Sequence, residues 1–169
     1  MSTCSGYLLD TNILSYWINE RSEFHERVAG RIASVPEDVP LFMSAITWGE
    51  IQFGWHRRHK EPIPAANLRV FEQTFQTVPV TRGTDLYYGQ LKARLFERFA
   101  PRSVKTKSLS LGLLLDPVAG DLLGVDENDV WIAAQAVESK LILVTNDKLT
   151  RIRDSAGDLD LQIDNWAAG

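Results

Sequence analysis

The segment Tyr7-Leu8-Leu9-Asp10-Thr11-Asn12-Ile13-Leu14-Ser15-Tyr16-Trp17 decides how this chain is organised. A short apolar run stops at Asp10, and apolar residues then recur at Ile13, Leu14 and Trp17 with helical spacing, so the segment reads as a buried strand followed by a helix. Leu41-Phe42-Met43 repeats the arrangement: a brief strand, then a helix from Ser44 to about His59 whose stop is reinforced by Pro62 and Pro64. Leu141 to Val144 is a third compact strand pattern, and Thr77 to Val80 is a further candidate. Helical patterns run from about Glu23 to Ser34, from Ala65 to Gln76, from Asp85 to Phe99 with Leu91, Leu95 and Phe99 on one side, and from Val130 to Val137. Leu159, Leu161 and Ile163 alternate with polar residues, as expected of a last edge strand. Strands alternating with helices predict an α/β domain with a largely parallel central sheet flanked by helices.

Composition bounds the rest. A chain of 169 residues with 44% hydrophobic content fits one domain with a continuous core and needs no disulfide or structural metal. Cys4 is its one cysteine and has no intramolecular partner, which suits a reducing, cytoplasmic setting. Met1 to Asp10 lacks the basic start and long apolar stretch of a signal peptide, and no apolar run approaches a membrane span. The net charge of −4 and pI near 5.4 argue against a protein that coats nucleic acid by charge alone. Positive residues are nonetheless concentrated at His56-Arg57-Arg58-His59-Lys60 and from Arg94 to Lys107.

In an open parallel sheet the working crevice lies beyond the carboxyl ends of the strands. Asp10 sits at such an end, and Asp147 follows the strand Leu141 to Val144 with only Thr145 and Asn146 between. Glu50 lies within the helix after Leu41 to Met43, and Asp129 opens the helix Val130 to Val137. Four acids from four distant segments can therefore converge on one rim, and such an oxygen-rich site suits a hard cation, Mg²⁺ or Mn²⁺. Each acid also has a purely structural explanation. Asp10 fits a helix cap, Thr47 with Glu50 has capping-box spacing, Asp126, Asn128 and Asp129 compete to cap one helix, and Asn146-Asp147 fits an ordinary turn. The functional reading rests on their conjunction.

Four words in this order, Leu8-Leu9-Asp10-Thr11-Asn12, Ser44-Ala45-Ile46-Thr47-Trp48-Gly49-Glu50-Ile51, Asn128-Asp129-Val130-Trp131-Ile132-Ala133-Ala134 and Leu143-Val144-Thr145-Asn146-Asp147, precede a closing Ile163-Asp164-Asn165-Trp166. Together they resemble the PIN-domain family, and more narrowly the VapC-like toxins of bacterial toxin–antitoxin pairs. The resemblance implies one PIN-like three-layer domain over residues 1–169 that acts as a Mg²⁺- or Mn²⁺-dependent endoribonuclease. Asp10 and Asp129 match the family's metal ligands, Glu50 holds metal or its water, and Asp147 is the fourth acid, at a position that often carries an amide. Thr11, Asn12 and Thr145 match polar positions that flank the acids. The implied partners are an RNA of the transfer or ribosomal class, a cognate antitoxin, and a second copy of the chain as a homodimer. An extra segment at about 101–119 departs from the family pattern and is a candidate contact for antitoxin, second subunit or RNA.

Other chemistries fit less well. No phosphate-cradling P-loop is present, and a haloacid-dehalogenase-like phosphatase would need an aspartate where Asn12 stands. Cys4 has no evident partner, and His25, His56 and His59 offer bases, though His56 and His59 on a basic helix end fit solvated residues or helix-terminus partners better than ligands. Arg57, Arg58 and Arg82 are candidates for steering a phosphate. The alternative from another class is a noncatalytic PIN-like RNA-binding or regulatory module, whose mark would be loss of the acids.

Overall fold

The computed structural model describes residues 6–105 and 120–168. Cys4 and residues 106–119 of the expected extra segment lie outside the described residues. Five strands, β1 (Tyr7–Leu9), β2 (Leu41–Ser44), β3 (Gln76–Val78), β4 (Ile142–Val144) and β5 (Ile163–Asp164), form one sheet in the order β3-β2-β1-β4-β5. Every pairing is parallel, with Leu9 opposite Met43 on one side and Val144 on the other. The helices are α1 (Thr11–Ile18), α2 (His25–Ser34), α3 (Ala45–His59), α4 (Ala65–Thr74), α5 (Arg82–Phe99), the short α6 (Arg102–Lys105), α7 (Glu127–Ser139) and α8 (Thr150–Ala156), with a 3-10 turn at Gly120–Leu123.

Strand periodicity divides the core into two. Leu8 and Leu143 point to one face, where they pack with Leu91 and Leu95 of α5, Val130, Ile132 and Ala133 of α7, and Ile152 of α8. Leu9, Met43 and Val144 point to the other, against Ile13 and Leu14 of α1, Val28 of α2 and Phe71 of α4. Leu8, Leu9, Leu143 and Val144 are all essentially inaccessible, so the sheet is covered on both faces, as parallel sheets require. The result is the parallel-sheet α/β domain expected from the alternation of strands and helices, in the three layers that the resemblance implied. Residues 130–137 of α7 are buried almost without interruption, and their alanines allow close approach to α5.

Local capping explains where the helices start. The Ser44 hydroxyl accepts from the Ile46 N–H to begin α3, Thr81 and Thr84 form a capping box on α5, and Asp126 accepts from the Asn128 N–H to begin α7. The capping box expected of Thr47 and Glu50 does not form. Ser44 takes the cap, Thr47 is buried inside the helix, and both Glu50 oxygens are engaged elsewhere. The final strand is also shorter than expected. Only Ile163 and Asp164 pair with β4, while Leu159 and Leu161 pack against the core from irregular backbone. Among the described residues no helix is long and apolar enough to cross a membrane.

Candidate metal centre

The register of β1 and β4 brings the first two acids together. Leu9 lies opposite Val144, and the Asp10 N–H donates to the Val144 carbonyl at 2.9 Å, so Asp10 and Thr145 leave the sheet side by side on the same rim. The Thr145 hydroxyl donates to Asp10 Oδ2 at 2.8 Å and accepts from the Asp147 N–H at 3.1 Å, which turns Asp147 back toward Asp10. Asn12, the second residue of α1, directs its amide at Asp10 Oδ2, Thr145 Oγ1 and Asp147 Oδ2, at 2.9, 3.0 and 2.9 Å. Its carbonyl accepts from the Asn146 N–H at 3.1 Å. Asn146 is fixed in turn by Tyr16 and by Asn165 near the end of the chain.

Asp129 arrives from the other side, in the first turn of α7. This helix feeds into β4 and packs on α3, so its N-terminus reaches the carboxyl rim of the strands. Carboxylate oxygens of Asp10, Asp129 and Asp147 all lie within 4.8 Å of one another. Glu50, the fourth predicted acid, stands beside this group without joining it. Its Oε2 accepts from the Thr11 hydroxyl in a short hydrogen bond and its Oε1 accepts from the Asn128 amide at 2.7 Å. Asn128 thus joins α7 to α3 at the site. Sequence reasoning treated it as a competing cap, and only its adjacency to Asp129 hinted at more.

Asp10 is 5% exposed and Asp129 is half-buried. Burial raises the Asp10 pKa against the hydrogen bonds from Thr145 and Thr11, and the charges of Asp147 and Glu50 raise it further. Asp129 is pushed up to about 7, first by burial and then by repulsion from Asp10, Asp126, Asp147 and Glu50. Two unit charges about 4 Å apart repel by roughly 4 kcal/mol at an effective dielectric near 20, so the metal-free cluster carries an electrostatic cost. A hard divalent cation would relieve that repulsion, and an all-carboxylate donor set is the chemistry such a cation prefers.

Of the basic residues expected to steer a phosphate, Arg57, Arg58 and Arg82 do not line the cavity beside the acids; Arg151 does. In the second basic cluster, Arg94 pairs with Asp158 at 2.7 Å and Arg98 with Asp154 at 3.8 Å, fastening α5 to the region of α8.

A covered parallel sheet with three carboxylates gathered at its carboxyl rim defines a class of acidic-site α/β proteins. Within it, the PIN domain family model matches residues 7–153, and the chain belongs to that family. It is similar to Ribonuclease VapC2 of Rickettsia felis, 24% identical over 160 residues covering 95% of this chain and 97% of the relative. Ribonuclease VapC2 of Haemophilus influenzae is 27% identical over 168 residues, again covering 95% and 97%. The fold matches VapBC2 from Rickettsia felis bound to a promoter DNA fragment, with a TM-score of 0.65 and 24% identity over 95% of this chain and 98% of that one. VapBC-1 from nontypeable Haemophilus influenzae matches with a TM-score of 0.61 and 22% identity, over 96% and 98%.

Proposed function

We propose that this protein is a metal-dependent endoribonuclease, the toxin of a VapBC-like pair, with Asp10, Glu50, Asp129 and Asp147 as its site. The observation that carries this reading is the convergence of three carboxylates, from the junction of β1 and α1, from α7 and from the loop after β4, within 4.8 Å. Family membership and the ribonuclease relatives support the substrate class. Asp10, Asp129 and Asp147 would hold a Mg²⁺ or Mn²⁺ ion. When bound, such an ion supplies Lewis-acid polarisation of the scissile phosphate and charge neutralisation as the leaving oxygen departs.

The chain's own groups do the positioning. Asn12 and Thr145 hold the Asp10 and Asp147 carboxylates in one orientation, so little reorganisation is needed on binding. Glu50, clamped by Thr11 and Asn128, orients the attacking water and accepts its proton. Transfer or ribosomal RNA is the substrate class. By analogy with the VapBC complexes among its structural neighbours, a cognate antitoxin is its partner, and, as the family resemblance implies, two copies of the chain pair as a homodimer.

Purified protein should cleave transfer RNA in Mn²⁺, and Asp10→Asn or Asp129→Asn should abolish cleavage while leaving a cooperative thermal transition. Metal-independent cleavage, or activity that survives both substitutions, would refute the assignment.

A further inference from the structure

We propose that Arg151 contacts a backbone phosphate of the bound RNA, in a cavity that Asp129 and Asp147 also line; this rests on the ribonuclease reading above. The cavity measures about 350 Å³, within the range of ligand pockets, and Asp126, Asp129 and Asp147 line it. Among the described residues that line it, Arg151 is the one cation. It nevertheless forms no ion pair with any carboxylate of the described residues.

Among the described residues, the guanidinium is held by uncharged groups. Arg151 Nη1 donates to the Leu123 carbonyl at 2.6 Å, and Cζ lies 4.9 Å from the centre of the Phe99 ring. Gly124, at φ +66°, gives it room: a Cβ there would collide with Nη1. One N–H of the guanidinium is therefore used for anchoring, and the other four have no hydrogen-bond partner among the described residues.

An exposed arginine costs rotamer entropy when a ligand immobilises it, and here Phe99, Leu123 and Gly124 meet that cost in advance. A planar donor fork, positioned and with no ion pair among the described residues, suits a tetrahedral anion that accepts two hydrogen bonds. Beside Asp129 and Asp147, two of the three carboxylates that would hold the cation, the anion that suits both the cation and the guanidinium is a phosphodiester. A carboxylate ligand would meet the same fork but gain nothing from a chain of regularly spaced charges.

The test uses Asp129→Asn protein, which should not cleave, and a labelled single-stranded RNA oligonucleotide, with binding followed as KCl is raised. Each phosphate contact contributes about 0.7 to the slope of log affinity against log salt for a single strand. Arg151→Gln and Arg151→Met should each flatten that slope by about 0.7, whereas Arg151→Lys, which keeps the charge, should restore it. In the otherwise unaltered enzyme, Arg151→Gln should raise KM for transfer RNA by about tenfold with a smaller change in kcat.

A purely structural clamp on Leu123 would lower thermal stability and leave the slope alone. An unchanged slope in whichever of the Gln and Met variants folds, beside an active wild type, overturns the role of Arg151 only. Wild-type protein that neither cleaves transfer RNA in Mn²⁺ nor binds the oligonucleotide overturns the ribonuclease reading as well.

Discussion

Replacing Asp129 by Asn should make the metal-free protein more stable at neutral pH, even as it removes activity. In the folded chain the Asp129 carboxyl holds its proton up to about 7, against 3.8 for the unperturbed group. Between these values the native state binds more protons than the unfolded state, so stability falls as pH rises and levels off above about 7. A difference of roughly three decades in proton affinity amounts to at most about 4 kcal/mol at 1.36 kcal/mol per decade. The side chain also loses a favourable place in the first turn of α7, worth about 0.5 kcal/mol. The expected net gain is therefore up to about 3 kcal/mol near pH 8 and about 1 kcal/mol near pH 5, where less of the penalty has developed. Urea unfolding in EDTA at both pH values measures it. A variant no more stable than wild type near pH 8, or a gain of the same size at both pH values, would refute the electrostatic account.

Saturating Mn²⁺ at about 100 times its dissociation constant should stabilise the wild type by about 2.7 kcal/mol, and the Asp10→Asn variant should lose that thermal shift. Because the ion must displace a proton from Asp129, Mn²⁺ affinity measured by calorimetry should rise with pH up to about 7 and flatten beyond; a flat profile from pH 5 to 8 would contradict this. Asn12→Ala frees the carboxylates of both Asp10 and Asp147 and should weaken Mn²⁺ binding by about 10- to 100-fold, and an unchanged constant would show that the amide is dispensable. Gln135 is fully buried, donates to the Val78 and Pro79 carbonyls and accepts from Ser44; Gln135→Leu should cost about 2–4 kcal/mol, a drop in Tm of roughly 5–15 °C, with Mn²⁺ affinity unaltered.

The order of elements, and the acids at Asp10 and Asp147, were legible in the sequence because they depend on neighbours in the chain. An apolar run that stops at an acid announces a strand end, and helical spacing after it announces the turn back, so strands β1, β2 and β4 and the helices after β1 and β2 stood where periodicity placed them. Capping was less legible, since Ser44 and Thr47 offer the same chemistry. Burial of Thr47 inside α3 decided between them. The short β5 has the same kind of origin: alternation at Leu159, Leu161 and Ile163 marks which side chains face the core, whereas pairing requires a free edge of β4 within reach.

Distances between remote groups belong to the tertiary structure alone. Sequence spacing could put four acids near one rim, but the register of Leu9 with Val144 and the packing of α7 on α3 determine that three of them meet while Glu50 is held aside by Thr11 and Asn128. Arg151 had no local signal at all, one arginine among several in a polar helix. Its place in the cavity that Asp129 and Asp147 also line follows from Leu123, Gly124 and Phe99, residues that chain folding brings to it. Hydrophobic periodicity is a property of successive residues and survives in the unfolded chain, whereas the field acting on Asp129 arises only when distant charges are packed together and shielded from water.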